Sequence, residues 1–124
     1  MRLAVVTGAS SGIGKAISLR LLLLGYKVIG ISRTNCEVLL QAKNFFSINA
    51  DLSNEKETLK LCETLKKESP YLLVNAAGFG RFEPHEELSA KTITDMTFLN
   101  LTSPMLLTNT LLRSLKKNDG YLMN

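Results

Sequence analysis

The stretch Thr7-Gly8-Ala9-Ser10-Ser11-Gly12-Ile13-Gly14 limits what this chain can fold into more than any other. Leu3-Ala4-Val5-Val6 precedes it without polar alternation, as in a strand buried on both faces of a parallel sheet. From Gly12 to about Leu24, apolar Ile13, Ala16, Ile17, Leu21 and Leu24 recur at helical spacing, and Gly25 stands where a capping glycine ends a helix. Gly8 can take a backbone conformation closed to other residues. Gly12 lets the main chain approach a pyrophosphate, and Gly14 lets helix and strand pack closely. The helix N-terminus then offers N–H groups and a positive dipole end to phosphates. A bare strand–helix turn would use the same glycines, so the flanking strand and helix are what favour a ligand.

The same alternation continues. Lys27 to Ser32 predicts a second strand, Cys36 to Ala42 a short helix, and Phe45 to Ile48 a third strand. Ser53 suits a helix N-cap, with Glu55 and Glu57 in the first turn and Leu59, Cys62 and Leu65 on the inner face. Pro70 closes that unit, and Tyr71 to Val74 predicts the fourth strand. A loop over Gly78–Glu87 leads to a long helical stretch, about Ser89 to Lys117, carrying Ile93, Met96, Leu99, Met105, Leu106, Leu111, Leu112 and Leu115. Asp119-Gly120 is a turn signal, and Tyr121-Leu122-Met123 opens a fifth strand. Strand and helix in turn, joined by right-handed crossovers, make one α/β domain over residues 1–124. The expected form is a Rossmann-type, doubly wound parallel sheet that stops after the start of its fifth strand.

Charge placement narrows the ligand class. Residues 1–50 hold six basic residues and one acid, whereas residues 51–124 hold nine basic and ten acidic ones. The net charge of +4 therefore belongs to the N-terminal part. No basic run with interleaved aromatics accompanies it, which argues against nucleic acid and for a small phosphate-bearing ligand. The longest apolar runs, such as Leu21–Leu24, are four residues, far short of a membrane span, and no signal-peptide core follows Met1-Arg2. Two cysteines, Cys36 and Cys62, make no disulfide framework and suit a reduced cytoplasmic setting; with His85 they also fall short of a four-ligand zinc site. His85, beside Glu83, Glu86 and Glu87, reads as an exposed loop histidine.

The spacing T-G-x-x-x-G-x-G at residues 7–14 resembles the standard subgroup of the short-chain dehydrogenase/reductase family. Asp51-Leu52 is similar to the family's Asp-Val/Leu after the third strand, which holds the adenine. Asn75-Ala76-Ala77-Gly78 is similar to its N-N-A-G after the fourth strand, with Ala76 in place of the second Asn. Asn100, followed by Leu101-Thr102-Ser103-Pro104, falls where the family places the Asn of its catalytic tetrad. The resemblance implies hydride transfer between a nicotinamide and a carbonyl or alcohol substrate. It also implies cofactor contacts at Gly8, Ser10, Ser11, Gly12, Ile13, Gly14, Asp51, Leu52, Asn75, Ala76, Ala77 and Gly78. Asn100 would help hold a proton-relay water; as a polar residue in an apolar helix it could equally bond a neighbouring loop.

An NAD site uses a carboxylate at the end of the second strand to bind the ribose hydroxyls. Here Ser32-Arg33 stands in that place, and no acid precedes Glu37. A hydroxyl beside a guanidinium suits a phosphate monoester, so NADP(H) is expected over NAD(H). The family's catalytic Tyr-x-x-x-Lys is missing: four residues after Tyr26 comes Gly30, after Tyr71 comes Asn75, and only three residues follow Tyr121. The expectation is therefore the cofactor-binding portion of a reductase, covering about half of such a domain and binding without turnover. A non-catalytic nucleotide-binding sensor or interaction module is the alternative. The glycine spacing and Asn75–Gly78 argue against a sugar-nucleotide epimerase or a methyltransferase. Apolar residues spread around the 89–117 helix beyond one buried face, which predicts a homo-oligomer through that helix.

Overall fold

The computed structural model describes residues 1–81 and 83–124 of the chain. Phe82, within the loop expected over residues 78–87, lies outside the described residues. Five strands form one sheet: β1 (Leu3–Thr7), β2 (Lys27–Ser32), β3 (Phe45–Asn49), β4 (Leu72–Asn75) and β5 (Tyr121–Met123). Their order is β3-β2-β1-β4-β5, and every pairing is parallel. The order reverses beside β1, so the ends of β1 and β4 diverge and open a crevice at their C-terminal edge. The helices are α1 (Gly12–Leu23), α2 (Glu37–Leu40), α3 (Glu55–Leu65), α4 (Ala90–Thr97) and α5 (Ser103–Lys117). A short 3₁₀ turn covers His85–Glu87, and a π-helical turn, Phe98–Thr102, joins α4 to α5.

Successive strand residues feed opposite layers. Val5, Ile29, Ile31 and Leu73 pack with Leu61, Leu65, Leu107 and Leu111 of α3 and α5. Ala4, Val6, Val28 and Leu72 pack with Leu21 of α1 and Leu39 of α2. Burial on both faces explains the unbroken apolar strands.

Several local expectations shift. The cap of α3 is Asn54, whose Oδ1 accepts from the Glu57 N–H at 2.9 Å, and not Ser53, which binds Asp51 instead. The inner face of α3 is Thr58, Leu61, Cys62 and Leu65, and Leu59 is exposed. On α1, Gly14, Ser18 and Leu21 are buried, whereas Ile13, Ala16 and Leu24 face outward. Gly25 follows the helix as expected. The short helix is only Glu37–Leu40. The long helix is broken by the π turn, and its buried row is Leu107, Leu111 and Leu115. Leu101 and Met105 stay more than half exposed, at 55% and 63%, so the apolar excess expected on this helix is present and uncovered.

Candidate functional site

The C-terminal edge of the sheet holds a cleft of about 660 Å³. One wall is the turn from β1 into α1. Gly8 and Gly12 take φ of +65° and +55°, left-handed values that a side chain would strain. A Cβ on Gly14 would overlap the Gly8 carbonyl, 2.6 Å from its carbon, so only glycine lets the helix start this close to the strand. Ser11 precedes the helix in extended conformation and makes no side-chain cap, so the first-turn N–H groups of α1 stay available to a ligand.

Ser32 and Arg33 follow β2 at the same edge. Ser32 Oγ donates to the Thr34 carbonyl at 2.5 Å, which tightens the turn that carries Arg33. The Arg33 side chain is exposed and lines the cleft. Past β3, Asp51 Oδ1 accepts from the Ser53 N–H at 3.0 Å and the Ser53 hydroxyl at 2.6 Å. Burial pushes the Asp51 carboxyl up, but these two bonds and the charges of Arg33 and Lys91 outweigh it and hold the group below the ordinary Asp range. Among the described residues Oδ2 takes no hydrogen bond, which leaves an acceptor for a ligand.

The opposite wall follows β4. Thr7, at the end of β1, accepts on Oγ1 from the N–H groups of Ala76 and Ala77, both at 3.0 Å, and so ties the two walls together. Asn100, in the π turn, grips the next loop from beneath. Its Oδ1 accepts from the Phe79 N–H at 3.1 Å, and its Nδ2 donates to the Phe79 carbonyl at 2.6 Å. These two bonds are the link to a neighbouring loop expected of a polar residue in this helix.

Gly8, Ser10, Ser11, Gly12, Ile13, Gly14, Ser32, Arg33, Asp51, Leu52, Ala76, Ala77 and Gly78 all line this single cleft. Asn75 does not: its Nδ2 donates to Asn124 Oδ1 at 2.9 Å, the two residues following the paired Val74 and Met123 of β4 and β5. Its own Oδ1 is buried without a partner among the described residues. Phe79, Arg81, Asp95 and Leu99 also line the cleft and were not anticipated. Thr7 was missed as a positioning residue, although its place directly before Gly8 was a signal. His85 is exposed and outside the cleft. Among the described residues there is no cluster able to hold a metal ion and no helix long and apolar enough to cross a membrane.

The chain is similar in sequence and fold to known proteins. Residues 2–124 match the family model for short chain dehydrogenases. Carbonyl reductase family member 4 of Danio rerio is 31% identical over 130 residues, spanning 99% of this chain and 55% of that protein. The alcohol dehydrogenase of the archaeon Thermococcus sibiricus, solved with 5-hydroxy-NADP, is similar with a TM-score of 0.84 at 29% identity, over 98% of this chain and 56% of that one. A 4-hydroxyisoleucine dehydrogenase complexed with NADH gives 0.86 at 26% identity, over 97% and 51% respectively. The chain thus spans about half the length of the relatives it matches. With the fold, the strand order and the family match over residues 2–124 in agreement, the chain belongs to the short-chain dehydrogenase family.

Proposed function

We propose that the cleft binds NADP(H), and that the chain is the cofactor-binding portion of a carbonyl reductase or alcohol dehydrogenase. The observation that carries this is the placement of the glycine turn, Arg33 and the free Oδ2 of Asp51 around one crevice. The fit follows from donor chemistry. Uncapped N–H groups of α1 suit a pyrophosphate, a carboxylate oxygen suits the adenine amine, and a guanidinium suits a 2′-phosphate. When bound, the nicotinamide would supply or accept the hydride. The residues of this chain bind and orient: the Ser10–Gly14 turn holds phosphate, Asp51 and Leu52 the adenine end, and Ala76–Gly78 floors the other arm. Asn100 fixes that arm through Phe79.

Relatives of similar likeness were solved with NADP and NAD forms alike, so cofactor choice rests on this chain's own residues. Ser32-Arg33 at the end of β2 supports NADP(H). Because the chain carries no Tyr-x-x-x-Lys, its 124 residues bind without turning over. The exposed Leu101, Met105 and Leu112 support self-association through the 90–117 helices, and the unpaired Cys36 and Cys62 support a reducing, cytoplasmic setting.

Calorimetric titration with NADPH and NADH tests the assignment. NADPH should bind more tightly, and Arg33→Asp should weaken it by about 1.5–3 kcal/mol, roughly ten- to a hundredfold or slightly more, with no loss of NADH binding. Equal binding of the two cofactors to the unmodified chain would reject the preference.

A further inference from the structure

Among the described residues four polar ones are buried in the core, and two of them, Thr58 and Ser103, meet beneath the turn between β3 and α3. Ser103, wholly buried at the start of α5, donates from Oγ to the Leu52 carbonyl at 2.5 Å. Thr58, equally buried on α3, donates to the Asn54 carbonyl at 2.9 Å, and the two hydroxyl oxygens lie 3.2 Å apart. A hydroxyl carries one proton, so each carbonyl receives one and neither is left unpaired. A serine within a helix commonly returns its proton to the carbonyl one turn back. Ser103 instead spends its proton on another element.

The turn gripped in this way carries the adenine end of the cleft. Leu52 sits between Asp51 and Ser53, and Ser53 holds Asp51 Oδ1 through both its N–H and its hydroxyl. Fixing the Leu52 carbonyl therefore fixes where the Asp51 carboxylate points.

We propose that Ser103 is a positioning residue for this subsite, and that the segment from Asn100 to Ser103 sets the distance between the two arms of the cleft. The proposal rests on the cofactor assignment above. Asn100 holds the loop at Phe79, Ser103 holds the turn at Leu52, and Leu99 lines the cleft beside them. In a regular α-helix, positions three apart differ by roughly 60° around the axis. The π turn has more residues per turn and spreads Asn100 and Ser103 further, which lets one helix reach both loops. That gives the π turn a purpose that packing alone does not require.

The test uses 2′,5′-ADP, which carries adenine, ribose and the 2′-phosphate without nicotinamide. Ser103→Ala should weaken its binding about fivefold. The Ser53 amide should exchange with solvent faster by a similar factor, with the Val5 and Leu73 amides of the central strands unchanged. Ser103→Cys, a weaker donor of similar size, should fall between, and it carries the comparison if the alanine variant does not fold. Leu39→Ala, which removes packing from the core layer on the other face of the sheet from Leu52, should lower stability and leave affinity as it was. Unchanged Ser53 exchange and unchanged affinity in Ser103→Ala would overturn the proposal, as would an equal affinity loss in Leu39→Ala. If the unmodified chain fails to bind 2′,5′-ADP, the cofactor assignment fails and this proposal with it. If the unmodified chain binds and Ser103→Ala binds equally, only the role of Ser103 fails.

Discussion

The two walls of the cleft are built in different ways. The wall from β1 into α1 is main chain: its shape comes from left-handed glycines and from a helix that starts against the Gly8 carbonyl. The wall after β4 is held by side chains reaching across the fold, with Thr7 on Ala76 and Ala77 and Asn100 on Phe79. The first wall leaves no room for change but needs no partners. The second depends on hydrogen bonds between residues 21 to 70 positions apart in sequence. A rigid, backbone-built phosphate turn facing a separately clamped loop lets one side be fixed by geometry while the other is set by a few polar contacts.

Substitution at Gly14 should have the largest effect. A Cβ there meets the main chain of Gly8 and Thr7 in its own turn, a clash that no side-chain movement can relieve. Gly14→Ala is expected to destabilise the chain by about 3 kcal/mol and to abolish phosphate binding. Urea unfolding with the variant within about 0.5 kcal/mol of the parent would show that the turn tolerates change.

Asn100→Ala probes the clamped wall. Both bonds to Phe79 are lost, but the site is exposed and water can replace them, so the cost should be about 1 kcal/mol. Amide exchange should quicken at Phe79 and stay unchanged at Gly8 and Gly12. Equal quickening in both walls would show that they are one unit.

The smallest effect is expected at Asp51. Burial alone would raise its pKa, yet the Ser53 bonds and the Arg33 and Lys91 charges leave it lowered in the folded chain. A lowered folded value means that its stabilisation is fully present above the ordinary Asp value of about 3.9 and is lost as pH falls through the folded value. Asp51→Asn should therefore lower the unfolding midpoint slightly at neutral pH, and the gap from the parent should close as pH falls below about 4, which leaves the variant with the flatter acid limb. Parallel acid limbs would count against this coupling.

The same contrast decides what could be read from sequence. The glycine turn was legible because strand, turn and helix lie together in the first 25 residues and each glycine has a local reason. The parallel sheet and its two buried layers followed from unbroken apolar strands alternating with helices. The second wall was only half legible. Asn75 to Gly78 stood out as a motif, but the grip of Thr7 on it joins residues 69 and 70 positions apart. Arg81, Asp95 and Leu99 enter the cleft through the path of a loop and a π turn; Pro104, four residues after Asn100, permits a local kink in this helix but does not specify a π turn. The face of α3 was misassigned because Thr58 is polar yet fully buried, its hydroxyl satisfied by the Asn54 carbonyl. A polar residue on the core side breaks the apolar period, and Ser53 and Asn54 are both good caps one residue apart.

The central claim, that one cleft built from both walls receives NADP(H), is tested most directly by following backbone amide NMR shifts while NADPH is added. The account predicts saturable shifts at Gly8, Gly12, Gly14, Arg33, Asp51 and Ala77, drawn from both walls, with β5 unaffected. Shifts confined to surfaces away from these residues, or none at saturating NADPH, would contradict it.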